Sequence, residues 1–204
     1  MSERPFAPPA WAESVVALLT PARGRDAMAG DLREEHADLA AARGAGAADW
    51  WYARQVLGFV WQAALLPGLA LALSLGVRTL IDIVTPRDDL AARAAMTTYV
   101  AILIFTLAGF RITYRTHRTA SAALVAVVAT AIATVLQLAM AFGGVLITGS
   151  RLPADSVTAR ALQEGFDVPV IPMLVIGVLA ASLGGWMARM FVTRAPWTRW
   201  SMRT

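Results

Sequence analysis

The chain has no cysteine and no lysine, and only two histidines among 204 residues. Without cysteine there is no disulfide framework, no thiolate metal site and no thiol nucleophile. Charge is scarce too. Charged residues make up 16% of the chain against 57% hydrophobic, with a mean hydropathy of +0.57, which is more apolar than an ordinary soluble domain requires. There is no GxxxxGK[ST] phosphate loop and no HExxH pair. His36 and His117 fall in polar segments with no serine and carboxylate arranged around them, so hydrolysis by a serine triad is not expected. All 18 basic residues are arginine, and with the abundant alanine this points to a GC-rich bacterial genome.

Four long apolar runs are present, at about residues 56–77, 94–110, 121–147 and 168–188. Each approaches or exceeds the ~20 residues with which a helix crosses ~30 Å of hydrocarbon. The expected fold class is therefore all-α, a polytopic membrane protein. Ionisable side chains inside a membrane mark proton paths and chemistry, and these interiors have almost none. Asp82 and Asp167 lie near the ends of runs, and Arg78 and Asp82, four residues apart, are expected to pair. No cofactor, metal or catalytic residue is expected.

Arginine placement gives the orientation, because short loops retained in the cytoplasm carry the positive charge. Thirteen arginines fall on the N-terminal segment, the second loop and the tail, against five on the other two loops. Both termini are expected to face the cytoplasm, with the protein in a bacterial inner membrane. The net charge of +4 is read as arginines meeting anionic headgroups, not nucleic acid. The first long apolar run starts only near residue 55, so no cleaved secretory leader is expected.

Small residues set the expected packing. Ala64, Gly68, Ala72 and Gly76 recur every fourth position in the first run, and Gly177, Ala181 and Gly185 do so in the fourth, the pattern that lets helix backbones approach closely in lipid. The first and fourth spans should pack tightly against other helices, each other being one option. Pro67 should kink the first span. Gln137, the most polar residue of the third run, is read as an interhelical hydrogen bond. Thr85, Pro86 and Asp88 form a helix start before the second run. Residues 153–165 are expected to form one extra external turn. Trp50, Trp51, Tyr52, Trp186, Trp197 and Trp200 are expected as interfacial anchors, the last two in a basic, aromatic tail at 193–204.

Residues 1–54 form a polar module ahead of the membrane unit at 55–192. A short amphipathic helix carries Trp11, Val15, Leu18 and Leu19 and ends at Pro21. A second is expected over 22–43, with Met28, Leu32 and Leu39 inward and Asp31, Glu34, Glu35 and Asp38 outward. Gly44 and Gly46 end it, and a third starts near Ala47 and runs on into the membrane. Asp31, Glu34, Glu35, His36 and Asp38 include ligand types without ligand geometry, and the carboxylates among them are read as a solvated or salt-bridged face. The module carries eight acids against six arginines, so Asp31, Glu34 or Glu35 is expected to dock on Arg54 or on the face of Arg111, Arg115 and Arg118.

The run Arg25-Asp26-Ala27-Met28-Ala29-Gly30-Asp31-Leu32-Arg33-Glu34-Glu35, followed by Trp50-Trp51-Tyr52-Ala53-Arg54-Gln55, resembles the N-terminal prefix domain of certain bacterial ABC-type permeases. Arg25, Asp26, Gly30, Asp31, Leu32, Glu34, Glu35, Trp51, Tyr52 and Gln55 match that pattern. The resemblance covers about residues 9–60 and implies a helical module with no chemistry attached. Permeases of that kind carry large extracytoplasmic domains, for which the first loop here, about residues 78–93, has no room. Export activity is therefore not implied. The sequence points to a non-enzymatic accessory, assembly or regulatory membrane protein whose prefix recognises a partner, a membrane protein among the options, or a sensor state, or else to a small transporter or channel subunit acting as a homo-oligomer.

Overall fold

The computed structural model describes residues 7–84, 90–148 and 170–194. Every regular element among them is helical: α1 (Ala10–Leu19), α2 (Arg25–Arg43), α3 (Ala45–Val84), α4 (Leu90–Thr116), α5 (Ala120–Thr148) and α6 (Val170–Arg194). The helix start at 85–88, the external turn at 153–165, and Trp197 and Trp200 lie outside the described residues, as does the side chain of Asp82.

Local chemistry sets the breaks. Pro21 forces the preceding residue out of helical geometry, and Thr20 is extended at φ −72°, ψ 134°, closing α1. Gly24 and Gly44 have φ of +85° and +87°, where a β-carbon is strained. Gly24 reverses the chain, so α2 starts at Arg25 and not at Ala22. Gly44 alone separates α2 from α3, and α2 folds back on the first turns of α3.

The third helix is the spine of the molecule. Its 40 residues extend about 60 Å at ~1.5 Å per residue, twice a bilayer's hydrocarbon thickness. It begins in the polar module and continues unbroken through Pro67 into the bundle. The boundary expected at residue 54 thus falls inside one helix.

Four helices are long and apolar enough to cross a membrane: Ala45–Ile81, Ala94–Thr116, Ala120–Met140 and Val170–Thr193. Only 22 to 33% of each apolar window is buried within the protein. In water such an outward apolar surface would carry a large hydrophobic cost; in lipid it has its proper solvent. The chain is a multi-pass membrane protein.

Packing runs in two tight pairs, α4 with α6 and α3 with α5, and α5 joins the pairs by also meeting α6 and α4. The α4–α6 seam is the closer. A β-carbon at Gly109 would stand 2.0 Å from the Ala181 carbonyl oxygen, and one at Gly184 would stand 2.0 Å from that of Thr106. Gly177 faces the ring of Phe105 and Gly185 faces Thr113 Oγ1. On the other pair, Gly68 meets Ile132 and Ala129 of α5, Gly76 meets Met140, and Ala64 and Ala72 are buried. The expected contact between the first and fourth spans is corrected here: among the described residues α3 and α6 do not meet. Each small-residue stripe is consumed by a different partner, α5 for α3 and α4 for α6.

Candidate functional site

The polar module is seated on one end of the bundle by backbone chemistry. Helices end with carbonyls that lack intrahelical partners and with a partial negative charge, and the C-termini of α1 and α4 meet. Arg25, first residue of α2, donates from Nη2 to the Thr116 carbonyl at 2.7 Å and to the Thr20 carbonyl at 3.3 Å. Ala22 N–H donates to the Arg115 carbonyl at 3.1 Å. The Ser121 hydroxyl donates to the Leu18 carbonyl, and Thr116 Oγ1 donates to Ser121 Oγ at 3.1 Å. One guanidinium therefore serves two helix C-termini. His117, at φ +58°, takes the turn between α4 and α5. Leu19 packs into the bundle core beside Ala122 and Ala126.

The joint between α2 and α3 holds the module's most buried polar group. His36 is fully buried, edge-on to Tyr52 with ring centroids 5.7 Å apart, and its Nε2 lies 2.9 Å from Asp49 Oδ1. A carboxylate only accepts, so Nε2 carries the proton and donates. Nδ1 is buried without a partner among the described residues. The sequence placed His36 in polar surroundings; in the fold it lies on the inward face of α2 with Ala40. Met28, expected inward, is 36% exposed. Tyr52 is likewise corrected from a headgroup anchor to a core residue. At 1% exposure it packs with Ala12, Val16 and Val56, whereas Trp50 at 66% and Trp186 at 54% remain outward. Trp51 is half-buried beside this cluster.

Because α2 turns His36 and Ala40 inward, its acids are left exposed. A groove of about 1070 Å³ between α1 and α2 is lined by Glu13, Asp26, Asp31, Arg33, Glu34 and Asp38, among others. Arg33 donates to Glu13 across it. That hydrogen bond, and then the carboxylate's charge, raise the Arg33 pKa above its ordinary value. Asp31, Glu34 and Glu35 are exposed. The expected docking of these acids onto Arg54, Arg111, Arg115 or Arg118 is not what joins the parts: within the module Arg33 pairs with Glu13 and His36 with Asp49. Arg54 instead lines a separate groove with Arg43, Trp50 and Trp51. Arg111, Arg115 and Arg118 are exposed at the end of α4 and in the turn beyond it.

Within the bundle, Gln137 is 4% exposed and donates from Nε2 to Thr79 Oγ1 at 3.2 Å, linking α5 to α3. Its Oε1 is buried without a partner among the described residues. Among those residues no group of three or more His, Asp or Glu side chains converges as metal ligands do.

Arg25, His36, Gly109 and Gly184 carry these arrangements without having been singled out as sites from sequence. Arg25 was visible only as part of the resemblance, and its role depends on a carbonyl 91 residues away. Gly109 and Gly184 fall outside the four-residue stripes, although the Gly184-Gly185 doublet was legible. No family model, no curated protein and no solved structure matches the chain.

Proposed function

We propose that the chain is a non-enzymatic accessory or assembly protein of a bacterial inner membrane, with both termini cytoplasmic and the module at 1–54 serving as a prefix-like element that binds a partner membrane protein. The observation that carries this reading is closed packing. Gly68, Gly76, Gly177 and Gly185 are each stopped by a neighbouring side chain, with built β-carbons 2.7 to 3.1 Å from it, so these stripes are seams and not solute paths. The acidic groove supports the second half of the reading, since its α2 carboxylates are exposed, where a basic segment of a partner has access to them.

A homo-oligomeric transporter or channel subunit is the second reading. The buried, unpartnered Gln137 Oε1 favours it, because an oligomer with a hydrated path would satisfy that oxygen.

Affinity purification of the full chain from native membranes in mild detergent separates the two. A defined partner, lost when Asp31, Glu34 and Glu35 are replaced by lysine, supports the accessory role. A stable homo-oligomer that passes solute in vesicles, unaffected by those changes, overturns it. Reporter fusions at each terminus test the orientation: activity of a cytoplasm-specific reporter at both ends is expected, and an external signal at either end refutes it.

A further inference from the structure

The tight seams leave one pair of neighbours in looser contact. α3 and α4 are consecutive, yet α3 spends its small face on α5 and α4 spends its glycine on α6. What remains between them is a groove of about 280 Å³ with walls that include Leu66, Pro67, Ala70, Ile104 and Leu107. At its module end stand Gln62, Arg111 and Arg115. A second groove, of about 400 Å³, starts at the same Ala70 and continues past Leu73 and Val77 toward the far end.

We propose that the groove between α3 and α4 binds an anionic phospholipid, its phosphate held by Arg111 and Arg115 and an acyl chain laid along Leu66, Pro67 and Ala70. The two arginines are four residues apart on one helix and point from the same face. Both are exposed, and neither is in an ion pair with a described residue. Arginine's planar fork suits a phosphate in two-point contact.

The dimensions match one leaflet. From Gln62 to Ala70, α3 rises about 12 Å at ~1.5 Å per residue, near the ~15 Å that is half a bilayer's hydrocarbon. Within this first groove charge stands only at the module end, as it does in a lipid, whereas Arg78 lines the second groove. A free phosphate would leave the apolar wall unused. A partner helix is the poorer match, because close helix approach needs small residues and this groove presents Leu66 at 62% exposure and Leu107 at 59%. The inference rests on the four helices crossing a bilayer. It does not depend on which end faces the cytoplasm or on partner binding by the module.

Native mass spectrometry of the full chain in mild detergent, with added dioleoyl phosphatidylglycerol or dioleoyl phosphatidylcholine, tests it. The phosphatidylglycerol adduct should be retained preferentially, and R111Q with R115Q together should weaken it about tenfold or more, each arginine near a membrane surface contributing its own share. R118Q, which removes a neighbouring charge that does not line the groove, should leave it unchanged. Equal retention of both lipids, an unaffected double variant, or an equal loss in R118Q overturns the proposal. Because the chain has no cysteine, Leu107→Cys can carry a single environment-sensitive dye in vesicles. Quenching by brominated phosphatidylglycerol beyond that by brominated phosphatidylcholine is expected; a dye shielded from both lipids places protein in the groove and overturns the proposal.

Discussion

Arg25 Nη2 lies 2.7 Å from the Thr116 carbonyl oxygen, and that contact ties the first residue of α2 to the last residue of α4. The polar module is oriented by this joint and by the bonds of Ala22 to Arg115 and Ser121 to Leu18, all three of which use backbone carbonyls as acceptors. Arg25 serves here because Nη2 alone carries two hydrogens, one for the Thr116 carbonyl and one for that of Thr20.

Arg25→Met should therefore loosen the module without unfolding the bundle. Hydrogen bonds from a charged donor contribute about 1.5–3 kcal/mol each when well buried, and this site is only partly buried, so a loss near the lower figure is expected. Hydrogen exchange of the full chain in detergent checks it. Amides of α1 and α2 should exchange faster while those of α4 and α6 keep their protection, and Arg25→Lys should fall between the two. Uniformly faster exchange in all six helices would contradict the separation of module and bundle.

The ion pair between Glu13 and Arg33 should matter far less. Both side chains are solvent-accessible, at 32% and 48%, and such pairs contribute about 0.2–1 kcal/mol. A double-mutant cycle with Glu13→Gln and Arg33→Gln, read by thermal unfolding, should give a coupling inside that range that fades as salt is added. The raised Arg33 pKa leaves the guanidinium charged at every working pH.

What sequence conveyed was the element plan, and what it missed was the pairing. Four uncharged runs and the Pro21 and Gly44 breaks follow from local rules that need no partner: hydrocarbon thickness, a proline's steric demand, a glycine's freedom at positive φ. Which glycine meets which helix is set by the whole bundle. The stripe at Gly177, Ala181 and Gly185 does lie at an interface, but the tightest point is Gly184 against Thr106. His36 shows the same limit within the module. Its neighbours Glu34, Glu35 and Asp38 are acidic and exposed, and helical periodicity alone turns it inward beside Ala40.

Asp49→Ala should destabilise the α2–α3 joint more than its exposed position implies. The carboxylate is 46% accessible while His36 is fully buried, so losing the acceptor leaves both ring nitrogens buried without a partner. That cost is about 1–3 kcal/mol. Asp49→Asn, which keeps an acceptor oxygen, should retain most of the stability. A thermal midpoint for Asp49→Ala equal to wild type would show that the hydrogen bond contributes nothing.

An open helix face and a tight seam make opposite predictions for the same substitution. At Gly58 nothing lies within 4 Å of an added β-carbon, so Gly58→Ala should be neutral or stabilise by up to about 1 kcal/mol, since alanine favours the helix. At Gly109 the same methyl group collides with the backbone of Ala181 at 2.0 Å, and backbone cannot rotate aside as a side chain can. Gly109→Ala must push α4 and α6 apart along their length, forfeiting contacts at Gly177 and Gly185 as well, so a loss at or above the ~1–3 kcal/mol typical of overpacking is expected. Gly68→Ala, which meets the side chain of Ile132 at 2.9 Å and the Ala129 carbonyl at 3.2 Å, should fall between. Thermal unfolding in one detergent should give the order Gly58, Gly68, Gly109 from mildest to most severe. If Gly109→Ala melts with wild type, the α4–α6 seam is not the tight contact from which the lipid groove between α3 and α4 was inferred.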